Sequence, residues 1–127
     1  MKRAVSISLG SPSRDKRVEI TLLGQQVQLE RRGTNGDEAR ARELYRMLDG
    51  TVDAFGVGGI DLYVHTPWKD YPLHTAHRMV QDVRRTPYVD GSTLRAVLET
   101  RVVRFMERRI GAAIQPRKVF LIEAISR

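Results

Sequence analysis

Two short segments carry the residue types that do chemistry, Gly56-Val57-Gly58-Gly59-Ile60-Asp61 and Val89-Asp90-Gly91-Ser92. In each, an apolar run meets glycine beside an aspartate. Glycine lets the backbone come close to a ligand, and the carboxylate next to it serves as an acceptor or a base. On this reading Gly58, Gly59, Gly91 and Ser92 touch substrate, while Asp61 and Asp90 take part in catalysis. Plainer accounts exist for both. Asp61 in a tight turn can bond its own backbone, and Asp90 or Ser92 can simply cap a helix. The first segment is not a dinucleotide fingerprint. It lacks the third glycine of G-x-G-x-x-G, and a strand rather than a helix is expected after it.

Other candidates are more scattered. Gly10-Ser11-Pro12-Ser13-Arg14 offers hydroxyls and a guanidinium, so Ser11 and Arg14 suit a polyol or phosphate, although a solvated loop explains them as well. Lys69 lies between Trp68 and Tyr71. A lysine among aromatic rings can act as a base if its pKa falls, or can make a cation–π contact with its stem packed on the rings. His65, His74 and His77 have no accompanying carboxylate pair at metal-ligand spacing, so no metal is expected. Arg101, Arg104 and Arg108 fall on one helix face, but Glu99 and Glu107 make a solvated face the better reading. Nucleic acid is therefore the disfavoured partner, and salt-sensitive binding through these arginines would be its signature.

The elements that must position these residues follow from periodicity. Val5 to Leu9 alternates as a strand. Val18 to Leu22 and Val27 to Glu30 read as a hairpin about Gly24. Asp37 precedes a helix whose apolar residues Ala41, Leu44, Tyr45 and Leu48 recur at helical spacing, with Glu38 and Arg42 as an i,i+4 pair. Val52 to Val57 is a central strand and Ile60 to His65 a short one. Two prolines make the stretch 66–72 irregular. Leu73 to Val83 reads as a modest helix and Thr86 to Val89 as a short strand. The longest helix runs from Ser92 to about Ile110 with Leu94, Val97, Leu98, Val102, Phe105 and Met106 as its stripe, and Lys118 to Ile125 is a last strand. The expected fold is a single α/β domain over 1–127. It is a three-layer, Rossmann-like mixed sheet with an N-terminal β-hairpin and about three helices. Its loops lie at the carboxyl ends of strands, where ligands bind.

Composition narrows the classes. The chain has 127 residues, 41% hydrophobic and 29% charged, without a run long enough for a membrane span and without an N-terminal signal pattern. It has no cysteine, which removes disulfides, thiol nucleophiles and Cys-ligated metals and fits a cytoplasmic protein. Of its 22 basic residues, 18 are arginine, and the net charge is +7. Spread along the chain, that charge fits either an arginine-rich surface or an anionic ligand.

Several segments together resemble a bacterial family known as quinate 5-dehydrogenases. They are Ser6-Ile7-Ser8-Leu9-Gly10-Ser11, Arg14-Asp15-Lys16-Arg17-Val18-Glu19, Gly33-Thr34-Asn35-Gly36-Asp37, Val52 through Tyr63, and Thr86 through Ser92. The resemblance spans nearly the whole chain. It implies NAD(P)-dependent oxidation of a ring alcohol of quinate, a small-molecule substrate, and a chain that is the N-terminal portion of longer relatives. Pro67-Trp68-Lys69 and Asp90-Gly91 are also similar to the segments holding the catalytic lysine and its aspartate partner in shikimate dehydrogenases. The spacing here is shorter, and Ser11-Pro12-Ser13 only approximates that family's Ser-x-Ser motif. The resemblance thus implies Lys69 and Asp90 as a proton-transfer pair. The alternative is a non-catalytic small-molecule-binding or regulatory α/β module, and a partner subunit could complete the sheet of either.

Overall fold

The computed structural model describes residues 1–111 and is a mixed α/β fold. Strands β1 (Lys2–Ser8), β2 (Lys16–Leu22), β3 (Gln25–Gly33), β4 (Ala54–Gly58) and β7 (Tyr88–Val89) form one sheet in the order β2-β3-β1-β4-β7. β1 runs parallel to β3 and β4, and β7 runs parallel to β4. Only β2 is antiparallel, because it is joined to β3 by a two-residue turn. Both turn residues, Leu23 (φ 49°) and Gly24 (φ 77°), lie in the left-handed region, the pairing that matches strand twist in tight hairpins. Leu23 adopts it without steric relief and points into solvent.

One face of the sheet is covered. Val5 and Ile7 from β1 and Phe55 and Val57 from β4 point to the same side, where helices α1 (Glu38–Leu48) and α2 (His74–Val80) bring Ala41, Leu44, Tyr45, Ala76, Met79 and Val80. Tyr45 meets Phe55 edge to face at 5.1 Å, a geometry worth about 1 kcal/mol beyond burial. The Tyr45 hydroxyl reaches the carbonyls of Ile7 (3.0 Å) and Gly56 (2.9 Å). Burial of this phenol pushes its pKa up, so it stays protonated. Asp37 caps α1 by accepting the Arg40 N–H at 2.8 Å. The expected Glu38–Arg42 pair does not form. Glu38 pairs with Arg78 and Arg42 with Asp82, so both side chains tie α1 to the α2 region instead of to their own helix.

Three expectations change. The strand expected at 60–65 is only β5 (Tyr63–His65). It pairs not with the main sheet but with β6 (Asp70–Pro72), inside the stretch expected to be irregular. The prolines allow this because Pro72 ends the ribbon, where no N–H is required, and Thr66 and Lys69 close the turn with reciprocal hydrogen bonds. Helix α3 (Ser92–Ile110) has the expected bounds but buries none of its residues. The sheet's second face carries no helix among the described residues, so they build two layers and not three. The strand expected at 118–125 lies outside the described residues.

Candidate functional site

The carboxyl ends of β4 and β7 open onto a basin of about 710 Å³, lined by Val57 through Asp61, Val64, Leu73, Asp90, Gly91 and Arg95. Both segments singled out from sequence therefore meet in one place. Three polar side chains shape the basin. The Asp90 carboxylate accepts the Leu62 N–H (2.8 Å), the Ser92 N–H (3.0 Å) and the Ser92 hydroxyl (2.7 Å). Asp61 accepts from the Arg95 guanidinium at 2.7 Å. Because parallel β4 and β7 place their loops side by side, the turn after β4 and the first turn of α3 are sewn together by these bonds.

The environment of Asp90 decides its chemistry. Partial burial acts to raise its pKa, but hydrogen bonds from Ser92 and the Leu62 N–H outweigh this and leave it below the usual carboxylate range. A carboxylate so held is a stable acceptor and a weak base. Lys69, its implied partner, lies on the turn before β6 with its ammonium 5.2 Å from the Tyr71 ring centroid. It makes no ion pair with Asp90. The structure therefore brings Asp61 and Asp90 together and leaves Lys69 apart, in the cation–π contact weighed for it above.

The glycines are explained by crowding. A Cβ on Gly58 would sit 2.8 Å from the Ser8 Cβ, and one on Gly59 would sit 2.9 Å from the Leu9 N, with Gly59 also at φ +77°. The loop after β1 presses against this turn, and the Leu9 N–H donates to the Gly58 carbonyl at 3.1 Å. Ser11 and Arg14 lie in that neighbouring loop and do not line the basin. Ser11 caps the short 3₁₀ turn Pro12–Arg14 through the Ser13 N–H, while Arg31 holds the loop by its Ser11 carbonyl and by Asp15.

Arg95 was not among the sequence candidates, although a signal for it existed. A basic residue near a helix N-terminus opposes the macrodipole, so Arg95 in the opening of α3 asks for a compensating anion, and Asp61 supplies it. Among the described residues no group of histidines, aspartates and glutamates could hold a metal ion. Arg101, Arg104 and Arg108 do share one face of α3, clustered about Phe105. No helix among the described residues is long and apolar enough to cross a membrane.

The described residues do not fit the pyrophosphate of NAD or NADP. The Gly58-Gly59 turn leads to Asp61 and the ribbon and not to a helix, and the N–H of Ser92 at the start of α3 is already taken by Asp90.

The chain belongs to the family described as Domain of unknown function (DUF8753), whose model matches residues 3–90, from β1 through the end of β7 and on to Asp90. No curated protein and no solved structure matches it.

Proposed function

We propose that this family member holds a small hydroxylated carboxylic acid of the quinate or shikimate kind in the basin at the ends of β4 and β7. It would form the substrate side of a quinate/shikimate-type dehydrogenase. The observation that carries the reading is the Asp61–Arg95 pair beside Asp90 in one volume of about 710 Å³. Ring hydroxyls donate to the two aspartates, and the ligand carboxylate shares the Arg95 guanidinium with Asp61. Gly91 and the apolar side chains of Val57, Ile60, Val64 and Leu73 bound the ring. NAD or NADP is the hydride acceptor such a reaction needs. A cytoplasmic setting agrees with the lack of cysteine.

A second reading, a non-catalytic binding or regulatory module, is favoured by one observation. Asp90 already accepts three hydrogen bonds, which makes it a weak base, and Lys69 is engaged with Tyr71, so neither is poised to take a proton. Calorimetric titration with quinate, shikimate, NAD and NADP separately tests both readings. Binding of a ring acid without either nucleotide is expected. Failure of both ring acids to bind would overturn the substrate assignment. Turnover of quinate or shikimate by the purified chain with NAD(P) would dispose of the non-catalytic reading.

A further inference from the structure

Among the described residues, the second face of the sheet and the stripe of α3 are both apolar and both exposed. On the sheet, Ala4 and Ser6 of β1 lie beside Ala54 and Gly56 of β4 and make the floor of a trough of about 430 Å³, with Leu29 and Val89 standing on either side. A floor of small residues flanked by larger ones is the shape that admits a helix closely. Along α3, Leu98 is 59% exposed and Phe105 55%. Contiguous apolar surface of this extent on a folded domain marks an interaction site.

Helix α3 is held away from its own trough. Asp90 fixes the Ser92 N–H and hydroxyl, the Arg95 N–H bonds the Gly91 carbonyl at 3.0 Å, and the Arg95 guanidinium is tied to Asp61. With its first turn clamped this way, the helix has no buried residue among the described residues.

We infer that two copies of this chain pair by exchange, each laying α3 into the trough of the other. The pairing is isologous, one helix and one trough contributed by each copy, and it closes as a twofold dimer. The dimensions agree. Nineteen helical residues extend roughly 28 Å, and five strands span roughly 19 Å, so one helix crosses the whole face. The stripe residues Leu94, Val97, Leu98, Val102, Phe105 and Met106 are each 38–64% exposed. Two such stripes seated in two troughs are on the order of the roughly 1,600 Å² of a standard interface. The inference does not depend on what the basin binds.

Sedimentation velocity on the full 127-residue chain should show a dimer at micromolar concentration. Leu98→Asp and Phe105→Asp should each weaken dimerisation roughly a hundredfold. Their circular dichroism should be that of the folded chain, because both side chains are exposed in one copy, while their unfolding midpoint should lose the concentration dependence that dimerisation gives the parent. The absence of native cysteine permits a second arm. A chain carrying Ala54→Cys and Leu98→Cys, treated with a short bismaleimide, should be linked to another chain. A parent chain that is monomeric at every concentration, a dimer untouched by L98D and F105D, or a link formed within one chain would each overturn the inference.

Discussion

Asp49 and Asp90 stand at two junctions built with the same chemistry and put to different use. Asp49 follows α1 and accepts the backbone N–H groups of Arg84, Arg85 and Thr86 at 2.8–3.2 Å. Asp90 likewise collects N–H groups from Leu62 and Ser92. The Asp49 junction lies outside the basin. Gly50 packs so near Arg85 that an added Cβ would meet its Cδ at 2.9 Å, and the Gly50 N–H is taken by the Thr86 hydroxyl. Around Asp90 the chain opens on the basin, with the Asp61–Arg95 pair beside it. An aspartate gathering backbone donors is thus a fastener by default. Adjacent volume and a second charged pair are what make the Asp90 junction a candidate site.

The comparison can be broken by substitution. Asp49→Ala should have the largest effect on stability, lowering Tm by roughly 5 °C or more, because it strands three N–H groups at the start of the segment leading to β7. Ring-acid binding by the folded fraction should be unchanged in calorimetry. Asp90→Ala should cost about 1 kcal/mol, as a lost helix cap does, read by denaturant unfolding, and should also weaken ring-acid binding at least tenfold. Arg95→Ala should separate the two roles. Removing a partly exposed pair costs less than about 1 kcal/mol, yet affinity should fall tenfold or more. If Asp49→Ala abolished binding in folded protein, or Arg95→Ala left it intact, the two junctions would not differ as described.

Acid sharpens the contrast further. Hydrogen bonds from the Arg84, Thr86 and Arg85 N–H groups hold the Asp49 pKa down to about 2. A carboxyl depressed in the folded state stabilises it fully above the unfolded-state pKa, and that contribution drains away as pH falls through the folded-state value. Thermal melts should therefore fall as pH drops from the ordinary carboxylate range toward about 2. Asp49→Asn should flatten that decline, since it removes the titrating group. A wild-type decline matched in full by Asp49→Asn would place the acid sensitivity elsewhere.

Much of the scaffold was legible because short-range rules decide it. Period-2 alternation marked β1, β2 and β3, and the spacing of Ala41, Leu44 and Tyr45 marked α1. The β5–β6 ribbon was obscured because proline removes a donor only where a donor is needed, and Pro72 sits where none is. Helix α3 kept its predicted bounds but not its expected burial, since an apolar stripe says that a partner surface exists and not where it is. In the candidate site, Gly58, Gly59, Asp61, Asp90 and Gly91 were visible as strand-end residues and do converge. Lys69 was implied by a motif, and its ammonium is instead set against the Tyr71 ring. Arg95 carries one local mark, a basic residue set against the α3 macrodipole, but its partner Asp61 lies 34 residues earlier and that pairing has no local signature.

The most direct test of the basin is backbone amide NMR on the chain titrated with shikimate. Shifts should concentrate at Gly58, Gly59, Asp61, Gly91 and Arg95, while Gly50 and Arg84 through Thr86 stay still. Shifts centred instead on the loop of Ser11 and Arg14, or none at millimolar ligand, would contradict the account.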